Sequence, residues 1–215
     1  MKTKAFIFDM DGIIVDSEPI HTRIKRDTFR HFGLAFDEAK FSYYMGRTSD
    51  ELFGDLIRAS GRTDLDRETV VRYKQEHYLE VLERGEVAPI AGTVDLIHRL
   101  HAAGLPLALA TSSWERVMEA VLDRFAIRPY FSSTISGSTL PASKPDPAIY
   151  LLSAERLGVE PKDCTVLEDT TAGITAGKRA GMRVIAYRNP NSGVQDLTLA
   201  DRVVERMADI AVEDL

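Results

Sequence analysis

The stretch of sequence that decides the fold lies at residues 5–19 and reads AFIFDMDGIIVDSEP. Its first four residues are apolar and have no helical period, which predicts a short strand buried on both faces. The apolar run stops abruptly at Asp9 and Asp11, which are followed by a glycine. We therefore expect a buried strand whose carboxyl end carries two acidic side chains.

Residues 18–83 differ from the rest of the chain in composition and in the spacing of their apolar residues. They are polar, rich in arginine, glutamate and aromatic residues, and carry apolar residues at helical spacing. Residues 48–51, Thr-Ser-Asp-Glu, have the spacing of a capping box, which predicts the start of a helix. We predict an all-helical cap over residues 18–83, inserted into an α/β core of residues 1–17 and 84–215.

From residue 84 onward, apolar runs alternate with segments of helical period. The predicted strands in this part cover residues 105–110, 131–136, 164–167, 183–187 and 202–204. A C-terminal helix is expected after the last of them. Repeated strand–helix units indicate an α/β fold with a doubly wound, mostly parallel, Rossmann-like sheet. Ligands of such sheets bind beyond the carboxyl ends of the strands.

Polar side chains follow four of the predicted strands, at the strand end or in the loop after it. They are Asp9 with Asp11, Thr111, Lys144, and Glu168 with Asp169. Each feature alone is common, because aspartate and threonine often end strands as turn or capping residues. Parallel strands would place all four features along one edge of the sheet, and together they predict a functional site there.

Phosphoryl transfer is the chemistry that suits this set of residues. A carboxylate can attack phosphorus and carry the group as an aspartyl phosphate. Crowded carboxylates repel one another unless a hard cation lies among them, and Mg²⁺ prefers oxygen ligands. Lys144 offers a point charge and Thr111 a hydroxyl for the phosphoryl oxygens. The N–H groups of a helix that opens after Ser112, where a second capping-box spacing occurs, would add further donors.

The two-residue spacing of Asp9 and Asp11 suggests a division of labour. In a continuing strand both side chains would point to the same face. One could act as the nucleophile beside the metal, and the other could hold a proton for the leaving oxygen. The acid role would need the pKa of Asp11 to be raised toward neutrality.

Four short motifs carry a resemblance to a known family. They are DMDGIIVDSEP at 9–19, ATSS at 110–113, SKPDP at 143–147 and LEDTTAGI at 167–174. In order, spacing and position of the helical insertion, the chain resembles the haloacid dehalogenase superfamily, in the subgroup with a helical cap after the first motif. Many relatives carry Gly-Asp or Asp-Asp where this chain has Glu168-Asp169. The Glu-Asp form is common among sugar-phosphate phosphatases and phosphomutases.

The resemblance implies a role for each carboxylate. Asp9 would be the nucleophile and a ligand of Mg²⁺. Asp11 would be the general acid and then the base, and would lend its backbone carbonyl to the metal. Asp169 would bind the metal directly, and Glu168 would act through a water molecule.

The resemblance also assigns the remaining core residues and the hinges. Thr111 and Lys144, with Ser112 beside them, would hold the phosphoryl oxygens. The cap of such enzymes opens and closes over the site, so residues 14–18 and 83–90 are candidate hinges.

Three cap residues are candidates for substrate binding, each with a simpler alternative. Arg47 lies in a loop where relatives place a substrate-contacting segment, but it could be an ordinary surface arginine. Lys74 lies where some relatives carry a phosphate-contacting lysine, but it could be a solvated helix residue. His21 lies where β-phosphoglucomutase-like relatives use a histidine to couple cap closure to the acid–base aspartate, but it could simply pack.

The predicted activity is hydrolysis of small phosphorylated metabolites, and three alternatives agree less well with the sequence. A phosphomutase is disfavoured because residues 22–26 lack the Ala–aromatic pair that usually follows the histidine. A receiver-type signalling domain would be shorter and would have no cap. A dehalogenase proper needs no metal and would lack Asp11.

Composition sets further limits. The chain has 215 residues, with 27 basic and 33 acidic residues and a net charge of −6. No basic tract is present, which argues against a nucleic-acid partner. A single cysteine, Cys164, allows no intramolecular disulfide. With no signal-peptide pattern and no apolar run near membrane length, we expect a cytoplasmic monomer that acts on a small phosphate ester without a membrane partner.

Overall fold

The computed structural model describes residues 2–35 and 49–215, and these residues contain one six-stranded sheet. Its strands are β1 Ala5–Phe8, β2 Leu107–Thr111, β3 Ser133–Ser136, β4 Cys164–Glu168, β5 Arg183–Tyr187 and β6 Arg202–Val204. They run in the order β3-β2-β1-β4-β5-β6, and every neighbouring pair is parallel. The predicted doubly wound, parallel sheet is confirmed.

The helices of the described residues lie between these strands and in the insertion after β1. They are α1 Glu18–Phe32, α2 Ser49–Ser60, α3 Arg67–Glu83, α4 Thr93–Ala102, α5 Glu115–Arg124, α6 Ala148–Leu157 and α7 Thr171–Arg179. None of them is long and apolar enough to cross a membrane.

The strand order reverses direction at β1. The chain moves from β1 to β2 and β3 on one side, and then returns to β4, β5 and β6 on the other. A crevice opens at such a switch point, beyond the carboxyl ends of the two strands that flank it. Here those strands are β1 and β4, so the chain places Asp9 and Asp169 at the mouth of the crevice.

Both faces of the sheet are covered, and alternate residues of the strands enter different cores. The core that includes α4 and α5 contains Phe6, Phe8, Leu107 and Leu109. The core that includes α6 and α7 contains Ala5, Ile7, Ala108 and Ala110. Successive residues of β1 and β2 therefore enter opposite cores, because a strand points successive side chains in opposite directions.

The inserted helices bury a smaller apolar cluster of their own. It contains Phe29, Leu34, Leu52, Phe53 and Val70 from α1, α2, α3 and their flanks. The predicted helix start near residue 49 agrees with α2, and the region read as helical contains α1 to α3. The division into a cap at 18–83 and a core stays a prediction.

The prediction of a C-terminal helix after β6 is wrong. After β6 the chain forms two short 3₁₀ turns, Met207–Asp209 and Val212–Asp214. The reason lies in side-chain donors from elsewhere: Arg202 Nη2 donates to the Asp209 carbonyl at 2.7 Å, and Arg99 Nη1 donates to the Ile210 carbonyl at 3.0 Å. These two carbonyl oxygens accept hydrogen bonds from arginine side chains, whereas in a continuing helix they would accept from backbone N–H groups.

Helix α7 approaches the sheet closely at Gly177. A Cβ atom placed there would lie 2.8 Å from Val184 Cγ2 on β5. We predict that Gly177→Ala lowers the free energy of unfolding by about 1–3 kcal/mol, because overpacking outweighs the better helix propensity of alanine. Urea unfolding followed by circular dichroism measures the change.

Gly54→Ala is the matched control for that substitution. A Cβ at Gly54, in α2, would meet the Arg67 side chain at 3.3 Å, and a flexible arginine can move aside. This variant should unfold at an equal or higher urea concentration than the parent. Equal behaviour of the two variants would contradict the packing argument.

Candidate active site

A cavity of about 530 Å³ lies beyond the carboxyl ends of the strands and under the inserted helices. The core side of its wall contains six predicted residues, Asp9, Asp11, Ser112, Lys144, Glu168 and Asp169. His21 and Lys74 line it from α1 and α3. The predicted residue Arg47 lies outside the described residues. The sheet topology thus brings together side chains that are far apart in the sequence.

Lys144 joins the ends of β1 and β4. Its ammonium group donates to Asp9 Oδ1 at 2.6 Å, to Glu168 Oε1 at 2.7 Å and to the Ala110 carbonyl at 3.3 Å. Burial acts to lower the pKa of Lys144, but Asp9 and Glu168 outweigh it and hold that pKa well above its usual value. The lysine is therefore a fixed positive charge beside the Asp9 carboxylate.

Glu168 is saturated by protein donors. Its Oε1 accepts from Lys144 and from the Tyr150 hydroxyl at 2.9 Å. Its Oε2 accepts from the Asp169 N–H at 2.9 Å, and from the N–H and hydroxyl of Thr170 at 3.0 Å each. Burial acts to raise the pKa of Glu168, but Lys144 and these donors lower it overall. With both oxygens occupied, Glu168 suits an indirect role through water better than direct metal binding.

Two glycines allow the carboxylates to sit this deep. At Gly173, in the first turn of α7, a Cβ atom would collide with the Glu168 carboxylate. At Gly12, where φ is +79°, a Cβ would collide with the carboxylate of Asp169. Both positions thus require a residue without a side chain, and Gly12 also requires a left-handed backbone.

Asp169 has one oxygen to spare. Its Oδ2 accepts from the Ser192 hydroxyl, whereas Oδ1 is buried and has no hydrogen-bond partner in the part of the chain that the structure describes. Burial, followed by the charges of Glu168 and Asp9, raises the pKa of Asp169 well above its ordinary value. One oxygen from each of these three carboxylates lies within 4.8 Å of the others.

This arrangement fits a hard divalent cation. A buried carboxylate oxygen without a donor, crowded by like charges, is stabilised by an oxygen-seeking ion such as Mg²⁺. Asp9 and Asp169 are the residues that would hold it, because Glu168 is already satisfied.

Asp11 is surrounded by donors. Its Oδ1 accepts from Ser17 Oγ at 2.7 Å and lies 3.2 Å from His21 Nε2. Its Oδ2 accepts from Ser113 Oγ at 2.6 Å and from Thr111 Oγ1 at 3.4 Å. Burial acts to raise the pKa of Asp11, but His21, Ser113 and Ser17 outweigh it, so the pKa falls below its usual value. The raised pKa that an acid role would need is therefore absent from this arrangement, because His21, Ser113 and Ser17 all stabilise the carboxylate.

His21 completes this group as a neutral donor. Burial, then the charge of Lys74, lowers the pKa of His21 below its usual value. A neutral imidazole that donates from Nε2 to Asp11 leaves Nδ1 as an acceptor, and Nδ1 is buried with no partner among the described residues. The ring packs on Tyr78, with centroids 4.3 Å apart. His21 therefore packs in the cap-side wall and also contacts Asp11, and its coupling of cap closure to that aspartate stays a prediction.

The segment after β2 differs from the expectation in detail. Thr111 is buried and absent from the described cavity wall, and its hydroxyl accepts from the Ser113 N–H at 3.0 Å. Helix α5 starts after Trp114, later than the predicted cap at Ser112, and has no side-chain cap because the indole of Trp114 offers no acceptor. Ser112 is exposed to the cavity. A direct contact of Thr111 with phosphoryl oxygens stays a prediction.

Lys74 is buried rather than solvated, which removes the simpler interpretation of this residue. It lies on the inner side of α3 and faces the cavity.

Five further side chains contact the acidic groups and were not predicted: Ser17, Ser113, Tyr150, Thr170 and Ser192. Ser17, Ser113 and Thr170 lie inside the motifs, so the motifs themselves could have indicated them. Tyr150 resembled an ordinary core residue of α6, and Ser192 lies in a loop with no sequence signal.

Comparison with known proteins finds curated sequences and a solved structure that are similar to this chain over most of its length. Fructose-1-phosphate phosphatase YqaB of Escherichia coli K12 is 33% identical over 183 residues, which cover 85% of this chain and 95% of that protein. Hexitol phosphatase A of the same strain is 30% identical over 212 residues, covering 99% and 95%. The crystal structure of CbbY from Rhodobacter sphaeroides in complex with phosphate superimposes with a TM-score of 0.88 at 28% identity, covering 99% of this chain and 100% of that one.

A family model described as haloacid dehalogenase-like hydrolase matches residues 6–187, which include all four motifs of the site. The six-stranded parallel sheet, the acidic cavity and these relatives agree with that match. The chain therefore belongs to the haloacid dehalogenase-like hydrolase family.

Proposed function

We propose that the protein is a Mg²⁺-dependent phosphatase that hydrolyses small phosphorylated metabolites through an aspartyl phosphate on Asp9. The observation that carries this proposal is the group formed by Asp9, Lys144 and Asp169. The Asp9 carboxylate accepts from the Lys144 ammonium group. It also lies near the carboxylate of Asp169, whose Oδ1 has no hydrogen-bond partner among the described residues.

Sugar or polyol phosphates are the substrate class that the relatives favour. Two of the similar proteins named above are a fructose-1-phosphate phosphatase and a hexitol phosphatase. A cavity of about 530 Å³ accommodates a small phosphate ester of this kind. The segment 22–26 without an Ala–aromatic pair and the phosphatase names of these relatives both favour hydrolysis over phosphomutase activity.

In the first step an oxygen of Asp9 attacks phosphorus, and the bond from phosphorus to the ester oxygen breaks. Burial raises the pKa of Asp9 to about 8 against the opposing effect of Lys144, so the nucleophile needs further positive charge to ionise fully at neutral pH. Bound Mg²⁺, held by Asp9 and Asp169, would supply that charge. Lys144 lies where negative charge develops on the phosphoryl oxygens, and Glu168 and Tyr150 keep it in place.

In the second step water attacks phosphorus, and the bond from phosphorus to Asp9 breaks. The proton of that water passes to Asp11, whose donors favour the carboxylate form and so prepare it as a base. The acid role in the first step requires a protonated Asp11, and therefore the loss of some of these hydrogen bonds. Ser113 and Ser17 thereby position the acid–base group without touching phosphorus.

Replacing the nucleophile should stop turnover. We predict that Asp9→Asn lowers kcat for phosphate release by roughly 10³-fold or more, because the amide cannot form the covalent intermediate. Acid-quenched parent enzyme should carry one added phosphoryl group on the peptide that contains Asp9, as measured by mass spectrometry. Near-normal turnover by the variant, with an unchanged unfolding curve, would eliminate the covalent mechanism.

Metal removal should abolish activity reversibly. EDTA should eliminate phosphate release and added Mg²⁺ should restore it, because the buried carboxylates need a cation to ionise together. Mg²⁺ should also raise the thermal unfolding midpoint of the parent, and this rise should vanish in Asp169→Asn. Glu213→Gln, at an exposed acidic residue, is the control and should retain the rise. Full activity in EDTA would contradict the metal dependence.

Removing the base should separate the two steps. With an activated aryl phosphate, whose leaving group needs no proton, Asp11→Asn should release a burst of about one equivalent of phenolate and then turn over about 10²–10⁴-fold more slowly than the parent. Stopped-flow absorbance measures both phases. A steady rate equal to that of the parent would remove Asp11 from the hydrolysis step.

A further inference from the structure

The loop between β5 and β6, residues 188–201, carries the side chain that holds the Asp169 carboxylate. Ser192 lies in this loop, is 4% exposed and lines the cavity. Its hydroxyl donates to Asp169 Oδ2, and no other group of residues 2–35 and 49–215 donates to that carboxylate. The orientation of Asp169 therefore depends on one side chain that lies 23 residues away in the sequence.

A hydroxyl group orients a carboxylate without cancelling its charge. Glu168 accepts from the ammonium group of Lys144, which compensates its negative charge directly. The donor to Asp169 in the described part of the chain is a neutral hydroxyl instead. The charge of Asp169 is therefore left available to attract a divalent cation.

The turn after Asp11 lies against the oxygen that Ser192 holds. A Cβ atom at Gly12 would collide with Asp169 Oδ2 and would lie 3.1 Å from Asn189 Nδ2. Asn189 belongs to the β5–β6 loop, and its amide donates to the Gly12 carbonyl at 3.0 Å. Oδ2 thus lies beside both the turn and the loop, and Oδ1 is the oxygen that has no donor among the described residues.

The loop is itself fixed to the helix that follows Asp169. Gln195 Nε2 donates to the Ser192 carbonyl at 2.8 Å. Gln195 Oε1 accepts from the N–H of Thr171 at 2.9 Å and from its hydroxyl at 3.0 Å. Thr171 is the first residue of α7 and lies two positions after Asp169. Ser192 is therefore held at a defined place relative to the carboxylate that it contacts, as the hydrogen-bond partner of a metal ligand must be.

We propose that Ser192 is a positioning residue for the metal ion. It fixes the Asp169 carboxylate so that Oδ1 stays available to the cation that Asp9 and Asp169 would hold, and Gln195 keeps Ser192 in place. This inference rests on the proposed Mg²⁺-dependent function and adds to it the residues that set the metal affinity. The Ser192 hydroxyl contacts the metal ligand and not the nucleophile, so it acts on metal binding rather than on phosphoryl transfer.

The test measures metal affinity without turnover. Mn²⁺ prefers oxygen ligands and has the same charge as Mg²⁺, and its free form is counted by electron paramagnetic resonance. Titration of the substrate-free protein with Mn²⁺ gives a Kd for the parent and for four variants, Ser192→Ala, Ser192→Thr, Gln195→Ala and Asn191→Ala. Urea unfolding checks that each variant is folded.

Loss of the hydroxyl should weaken metal binding. Ser192→Ala should raise the Kd for Mn²⁺ by about 10- to 100-fold, the usual effect of removing the hydrogen-bond partner of a metal ligand. Ser192→Thr retains a hydroxyl and should stay closer to the parent. Gln195→Ala should shift the Kd in the same direction as Ser192→Ala but less, because the hydroxyl remains while the Ser192 carbonyl loses its donor.

Asn191→Ala is the matched control. Asn191 is exposed in the same loop, and its side chain donates to the two carboxylate oxygens of Asp16, at 3.0 and 2.9 Å, instead of to Asp169. This variant removes two hydrogen bonds of the loop without touching the metal ligands, so it should keep the parent's Kd for Mn²⁺.

Kinetics give a second readout, which a general loss of structure would not produce. With para-nitrophenyl phosphate, Ser192→Ala should need about 10- to 100-fold more Mg²⁺ than the parent for half-maximal phosphate release. Its kcat at saturating Mg²⁺ should stay within a few-fold of the parent's, because the interaction that is lost orients a metal ligand and does not reach the phosphoryl group.

The outcomes separate this inference from the function on which it rests. An unchanged Kd in Ser192→Ala, or an equal rise in Asn191→Ala, would overturn the positioning role and leave the proposed phosphatase function intact. A parent protein without any Mn²⁺ site that Asp169→Asn removes would instead contradict the proposed metal dependence.

Discussion

One buried ammonium group holds the site together. Lys144 reaches from the loop before α6 to Asp9 at the end of β1 and Glu168 at the end of β4, two neighbouring strands in the sheet. Without it, three carboxylates within 4.8 Å of one another would repel across a poorly hydrated space. Each carboxylate can approach the others only because this charge, and the glycines beside them, remove electrostatic and steric obstacles.

The consequence is a set of acidic residues with different hydrogen-bond surroundings. Glu168 accepts from several donors and contacts Lys144, whereas Asp169 Oδ1 has no hydrogen-bond partner among the described residues. Asp11 accepts from hydroxyl groups on both oxygens and has an imidazole beside Oδ1. Under the proposed function, these different neighbours would give similar side chains the roles of anchor, metal ligand and base.

The cavity wall formed by the inserted helices carries different side chains from the acidic floor. Within residues 2–35 and 49–215, the inserted helices contribute two buried lysines, Lys25 and Lys74, and two buried acceptor atoms without hydrogen-bond partners, Glu18 Oε1 and His21 Nδ1. Under the proposed function, the floor fixed by the sheet would carry the reaction, and the helices would select the molecule that presents its phosphate to Asp9. This separation explains how one fold can serve several substrates, because the wall can change while the floor stays constant.

The sequence by itself determined the sheet, its parallel direction, the strand ends at Asp9, Thr111 and Asp169, and the loop that carries Lys144. Apolar runs and motif spacing are local properties, and parallel strands bring their carboxyl ends together whatever the details. Only the tertiary structure decided that Asp11 is held as a carboxylate, because its donor Ser113 lies 102 residues away in the chain. It alone also decided that Lys74 is buried and that the C-terminal segment forms 3₁₀ turns instead of a helix. Burial and hydrogen-bond partners are long-range contacts, and a pattern read along one chain does not contain them.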